Sequence, residues 1–372
     1  MSPLANLLSC SPAFAVFMKT DKLAANNNLQ GELSSELSYL NNLQVLELGG
    51  NILNGTVSQS LFLLQNLVVV DLSDNLLTGS LPSDIGDLSG LKELNLVGNS
   101  MKGNIPTEIG NCNMLEDVDL SRNDFDGPLP SELGELSNLQ QLDLHRNRLT
   151  GPFPTELGRL ELLEKLLLSS NSLTSSLPSQ LGGMKSLEEL NLDRNIGISG
   201  TLPTELRQLE NLQELLLNEC SLEGSIPANM FSGLTSLTRL EMSSCGLTGQ
   251  MPSDWGSLQD LGTVDLHSNK LNGSIPSSFG LISGLRGLRL HENELDGSIP
   301  SEIGLLALLT SLRISKNNLG GTIAIDLVGL VSLEELDISE LTGHRFHARG
   351  RRVVRFCFLS LKLFFDASKL RL

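Results

Sequence analysis

Apolar residues return along this chain in a fixed phrase, Leu-x-x-Leu-x-Leu, that opens at Leu43 and is repeated from Leu67, Leu91, Leu115, Leu139, Leu163, Leu187, Leu212, Leu237, Leu261, Leu285, Leu309 and Leu333. The spacing is 24 or 25 residues, a period that marks stacked supersecondary units. One repeat written out gives Leu67, Val70, Leu72, Asn75, Leu77, Gly79, Leu81, Pro82, Ile85, Gly86 and Leu88, which fits the template LxxLxLxxNxLxGxIPxxLGxLxx. The alternation around Val70 and Leu72 has the period of a short strand. Gly79 and Pro82 exclude a helix through the middle of the repeat, one through backbone freedom and the other through a fixed φ and a missing donor. A single such coil leaves half of its leucines wet. Stacking coils buries them and lines one face with parallel strands.

Polar positions repeat as strictly. Asn51, Asn75, Asn99, Asn123, Asn147, Asn171, Asn195, Asn269, Asn293 and Asn317 occupy one place, with Cys220 and Cys245 substituting in two adjacent repeats. This column lies between inward leucines, so its amides point inward, where each finds partners or costs about 1–3 kcal/mol. Backbone groups of the bend after each strand are the expected partners.

Composition adds that this is not an aromatic-rich enzyme core: there is one Trp (Trp255), one Tyr (Tyr39), and 4% aromatic residues in all. The net charge is −17. Residues 342–372 hold Arg345, Arg349, Arg351, Arg352, Arg355, Lys362, Lys369 and Arg371 against Asp366, a balance of +7 that leaves −24 on the first 341 residues. Such a body repels nucleic acid and anionic lipid.

The half-repeats Leu149-Thr150-Gly151-Pro152-Phe153-Pro154 and Leu271-Asn272-Gly273-Ser274-Ile275-Pro276 resemble the plant-type leucine-rich repeat, over roughly residues 23–341. That family includes the ectodomains of receptor-like kinases and receptor-like proteins, and the polygalacturonase-inhibiting proteins. The resemblance implies an α/β-type repeat solenoid, a right-handed leucine-rich repeat superhelix. Its concave face would be a parallel β-sheet, its convex side short 3-10 or irregular segments, and a second, shorter strand would follow the Ile-Pro step on one flank. It further implies recognition of a protein or peptide ligand without catalysis, in receptor-like or defence-type signalling. An intracellular scaffold and a secreted inhibitor of the polygalacturonase-inhibitor type are the alternatives.

Three segments are expected: 1–22 as a disordered stretch or remnant of a leader, 23–341 as about 13 repeats, and 342–372 as a basic, apolar tail. Cys10 stands alone where the family places a cysteine pair, and residues 1–18 lack the basic start of a signal peptide. The apolar stretch Val353 to Phe365 is shorter than the roughly 20 residues that span a bilayer, so membrane association is confined to an interfacial role of the tail. Cell-surface placement follows from the resemblance, and a cytoplasmic one from the absence of a clear leader. Sequons at Asn54 and Asn272 are glycosylation candidates. Cys220 and Cys245, on adjacent rungs, read as buried thiols or as a disulfide at roughly 5 Å.

Binding chemistry belongs to side chains that the template does not fix. The column between the inward apolar residues reads Glu47, Asp71, Asn95, Asp119, Asp143, Leu167, Asn191, Leu216, Glu241, Asp265, Arg289, Arg313 and Asp337. Leu167 and Leu216, flanking Asn191, form one candidate contact centre, against the plain alternative of ordinary surface leucines. Arg239, His267, Arg289, His291, Arg313 and Lys316 form a second, a positive island for a carboxylate or acidic segment. Its alternative is ion pairing with Glu241, Asp265 and Glu292. His267, His291 and Asp265 could also be drawn as a metal site, but strand-exposed His and Asp are ordinarily solvated, so no metal and no cofactor is expected. No GxxxxGK[ST] loop, HExxH or GxSxG elbow occurs, and catalytic residues are not assigned.

Overall fold

The computed structural model describes residues 25–321, 327 and 329–341, in two compact units divided between Leu187 and Glu188. The segments 1–22 and 342–372, with Cys10 and Cys357, lie outside the described residues.

In the first unit the leucine phrase folds into three-residue strands, Val45–Glu47, Val69–Asp71, Glu93–Asn95, Asp117–Asp119, Gln141–Asp143 and Lys165–Leu167, each parallel to the next. The second unit repeats this with Glu189–Asn191, Glu214–Leu216, Arg239–Glu241, Thr263–Asp265, Gly287–Arg289, Ser311–Arg313 and Glu335–Asp337. Register runs rung to rung without a slip, Gln141 opposite both Asp117 and Lys165. The template enforces this, because a one-residue shift would turn every inward leucine outward. Leu139, Leu142 and Leu144, like their counterparts in neighbouring rungs, are fully buried.

A second strand follows the Asn in most rungs, as in Asp124–Pro128, Arg148–Pro152 and Lys270–Ser274. It ends before the Leu-Pro, Phe-Pro or Ile-Pro step rather than following it, and at five residues these examples are longer than the main strands, which corrects the expectation of a shorter strand after that step. The reason is local. The proline has an extended backbone, φ −65° at Pro154, and its carbonyl accepts the first bond of a 3-10 helix, from Leu157 N–H at 3.3 Å. Lacking a donor, it leaves nothing orphaned at that start. The 3-10 helices, such as Thr155–Arg159 and Ser277–Leu281, form the side opposite the strands. Rungs approach so closely there that a Cβ on Gly158 would lie 2.3 Å from the Gln180 carbonyl oxygen, which is why the template carries glycine.

The Asn column binds as expected. Asn123 Oδ1 accepts from Met101 N–H at 3.0 Å, and its Nδ2 donates to the carbonyls of Leu96 at 2.9 Å, Ser121 at 3.1 Å and Leu120 at 3.2 Å. Cys220 and Cys245 act as reduced versions of the same device and remain thiols. Cys245 Sγ donates to Leu217 O at 2.9 Å and Cys220 Sγ to Leu192 O at 3.5 Å, which sets aside the disulfide alternative. Loss of the amide acceptor at Cys220 is harmless, since the preceding rung carries an extra residue and Ile198 N–H is taken by Asn195 O at 2.9 Å. Burial pushes both thiols up to about 12, and Cys112 to about 11.

One device is invisible in the template. The residue before each ladder position adopts positive φ, including Asp74, Arg122, Arg146, Glu292 and Lys316 at 46–58°. Its N–H bonds the next rung, Arg122 to His145 O at 2.8 Å for example. A left-handed residue turns the chain out of the strand and aims the following amide inward.

Candidate functional site

Strand alternation sends the first and third residues of each main strand, and the residue two beyond, to the outer face of the sheet. In the first unit these residues enclose a recess of about 130 Å³ lined by Glu93, Asn95, Asp117, Asp119, Gln141, Leu142, Asp143, Lys165 and Leu167. Asp117, Asp119 and Asp143 are each half-buried in it. Burial, then the charges of Asp119 and Asp143, holds the Asp117 carboxyl above its ordinary value, with Lys165 opposing. Asp119 is raised by burial and by Asp143, against hydrogen bonds from Ser121 and the influence of His145.

Several of these carboxylates have a structural duty as well. Asp71, Asp119, Asp143 and Asp265 accept the N–H two residues on, at 2.9 Å for Ser73, Ser121 and His145 and 3.2 Å for His267. Asn95 and Asn191 do the same for Val97 and Asp193 at 3.2 Å. The column read as unconstrained is therefore partly a set of strand-end caps, a role that short Asp and Asn side chains suit.

The two leucines of the first sequence-predicted centre differ in exposure. Leu216 is only 4% exposed, held in register between Asn191 and Glu241, and offers little surface to a partner. Leu167 is half-buried and serves as the apolar wall of the first unit's recess.

The second centre is brought together, but not as a positive island. Arg239 pairs with Glu241 at 2.7 Å and Glu214 at 3.3 Å, Arg289 with Asp265 at 3.2 Å, Arg313 with Glu335 and Lys316 with Glu292, both at 2.5 Å. Each cation lies within reach of a carboxylate on its own or a neighbouring rung, so pairing wins over display. His267 Nδ1 meets Asp265 Oδ1 at 2.5 Å, which raises its pKa despite partial burial. Arg289 takes the other oxygen of Asp265, so that carboxylate is engaged on both sides. His291 stacks on His267, and its Nδ1 is buried without a hydrogen-bond partner. Burial first, then the His267 charge, lowers His291. Hydrogen bonds from Lys316 and Ser268 hold Glu292 at about 2.

Asn54 and Asn272 are exposed in their second strands, within Ile52–Asn54 and Lys270–Ser274. Among the described residues no helix is long and apolar enough to cross a membrane. What sequence reasoning missed is the recess. Its signal was available: Asp117, Asp119 and Asp143 fall at outward places of two neighbouring rungs, with Lys165 as the cation among the lining residues.

Parallel three-residue strands, an inward Asn ladder and 3-10 returns define a leucine-rich repeat fold. Leucine-rich repeat models match residues 137–196 and, separately, residues 66–88, 90–112, 114–136, 236–258 and 260–282. The leucine-rich repeat ectodomain of the Arabidopsis thaliana receptor kinase GASSHO1/SCHENGEN3, in complex with CASPARIAN STRIP INTEGRITY FACTOR 2, is 32% identical, with TM-score 0.74 over 89% of this chain and 42% of that one. The plant peptide hormone receptor RGFR1 in complex with RGF2 is 31% identical, with TM-score 0.72 over 86% and 58%. A leucine-rich repeat protein of Leptospira interrogans is 31% identical, with TM-score 0.72 over 92% and 82%. No curated protein sequence matches the chain. The chain belongs to the leucine-rich repeat family, with repeats of the plant type. It spans about half of the length of the two plant receptors.

Proposed function

We propose that the chain is a non-catalytic module that binds a protein or peptide ligand on its strand-lined face, with the repeat array 23–341 as the binding body. The recess over Asp117, Asp119, Asp143 and Leu167 carries this reading. It is concave, it joins an apolar wall to polar groups, and it rests on strands already fixed by the ladder, so little ordering cost attends binding. The similarity to RGFR1, a peptide hormone receptor, supports a peptide as the ligand and receptor-like signalling as the setting.

The test is binding of arrayed synthetic dodecapeptides to the full chain, followed by hydrogen–deuterium exchange of each complex. The expected result is that a subset binds and protects backbone amides of the strand face. Absence of any binder, or protection confined to the 3-10 side, overturns the reading. Expression in a secreting eukaryotic host addresses compartment. Glycan on Asn54 or Asn272 in secreted, folded product supports the extracellular roles, and retention of unglycosylated product supports the intracellular scaffold.

A further inference from the structure

Both units pair surface charges across rungs, as in Lys92–Glu116 and Arg148–Asp124 of the first, but they differ on the outward face of the main strands. In the second, Glu241, Asp265, Glu292 and Glu335 each hold a cationic side chain within 3.2 Å. In the first, Asp117 and Asp119 occupy the outward places of one strand, and Asp143 is the register partner of Asp119. Among the described residues neither Asp117 nor Asp119 has an ion-pair partner, while Asp143 bonds the ring of His145 at 2.7 Å. Like charges directly opposite on a sheet destabilise it, and half-burial strengthens the repulsion by lowering the local dielectric. Lys165, which also lines the recess, offsets part of that cost at Asp117, and a cation entering from outside would remove more of it. Leu167 adds what a simple anionic surface lacks, an apolar wall against which an alkyl stem can lie.

Resting on the proposed peptide-binding role, we infer that this strand face takes an extended peptide whose arginine or lysine side chain enters the recess, stem along Leu167 and charged head among Asp117, Asp119 and Asp143. Charge complementarity selects this occupant: with a balance of −24 on its first 341 residues, the repeat body disfavours acidic peptides. Dimensions agree as well. The recess crosses four strands, from Glu93 to Leu167, about 14 Å at 4.8 Å per strand, which is the length of about four extended residues.

The experiment measures fluorescence anisotropy of the full chain with labelled dodecapeptides in arginine-containing, lysine-containing, neutral and glutamate-containing classes, at low and high salt. The basic classes are expected to bind best, with affinity falling as salt rises. The double variant D117N/D119N keeps the size of each side chain and relieves repulsion, and circular dichroism verifies its fold. It should weaken basic peptides by about tenfold or more, the scale of one lost charge-assisted contact. E108Q/E132Q, which removes two carboxylates from the 3-10 helices, should leave affinity unchanged. Equal weakening by both variants would show a diffuse effect of net charge and overturn the inference. So would peptides that bind without preference for basic residues or that ignore D117N/D119N, although these would leave the peptide-binding role standing. If no class binds at all, both readings fall.

Discussion

The imidazoles of His267 and His291 lie face to face, ring centroids 4.5 Å apart and planes inclined by 5°. They sit on adjacent rungs, and two positive rings cannot share that spacing cheaply. Asp265 favours the proton on His267 and Glu292 attracts it to both, while Arg289 opposes His267 and Arg313 opposes His291.

The pair should therefore titrate apart, His267 above and His291 below the ordinary value of about 6.5. A raised histidine contributes stability that is complete below its unfolded value and is lost as pH rises through its folded value. A lowered one contributes above its unfolded value and loses that contribution as pH falls through its folded value. Together they place the maximum of their joint effect near pH 6.5, at about the unfolded value of both. Proton-detected NMR titration checks the two values, and in H267Q the His291 value should rise. Urea unfolding of the wild type against H267Q/H291Q across this pH range should give a difference that peaks there. A flat difference contradicts the stacked arrangement.

Asn147 accepts from Phe125 N–H at 3.0 Å and donates to Leu120 O at 3.0 Å and Leu144 O at 3.1 Å, all buried. N147A should cost about 2–3 kcal/mol, because at least one buried backbone group loses its partner. N147C should be intermediate, since a thiol donates but leaves Phe125 N–H orphaned. C220A should cost about 1 kcal/mol or less, for lack of an orphaned acceptor-seeking amide in the preceding rung. Denaturant midpoints of the three variants give the order.

Ser175 stands at φ 71°, where other rungs have glycine, such as Gly151 at 77° and Gly273 at 71°. S175G should stabilise by about 0.5 kcal/mol, relief of left-handed strain exceeding the added entropy of the unfolded chain. A lower denaturation midpoint for S175G would contradict this.

Trp255 is fully buried in the second unit between Phe231 and Phe279, with ring centroids at 4.2 and 4.3 Å. W255A should lose about 3–5 kcal/mol. W255F should lose less, because the indole N–H has no partner to give up. As the sole tryptophan, its emission should shift to the red when this unit unfolds, which makes fluorescence the readout for H267Q/H291Q as well.

Much of the architecture could be read from Leu67, Val70, Leu72 and Asn75 and their copies, because burial of one face of a coil requires the same residue at the same place in every coil. Sites were harder to read. Arg289 and Arg313 looked like displayed charge, but in a parallel sheet a neighbour sits one repeat away in sequence and one strand away in space, so Asp265 and Glu335 reach them. Leu216 looked exposed from its place in the strand, but its burial depends on the strands beside it. Asp119 looked unconstrained, and its bond to Ser121 N–H is a matter of backbone direction.

By itself, the sequence determined the stacked coils, the parallel strands and the inward amides, since periodic burial and the demand for hydrogen-bond partners act within one repeat and its immediate copies. Only the tertiary structure decided which outward charges neutralise one another and which remain gathered in a recess. Coulomb energy depends on separations of a few ångströms between side chains of neighbouring rungs, and those distances are set by side-chain conformation and burial.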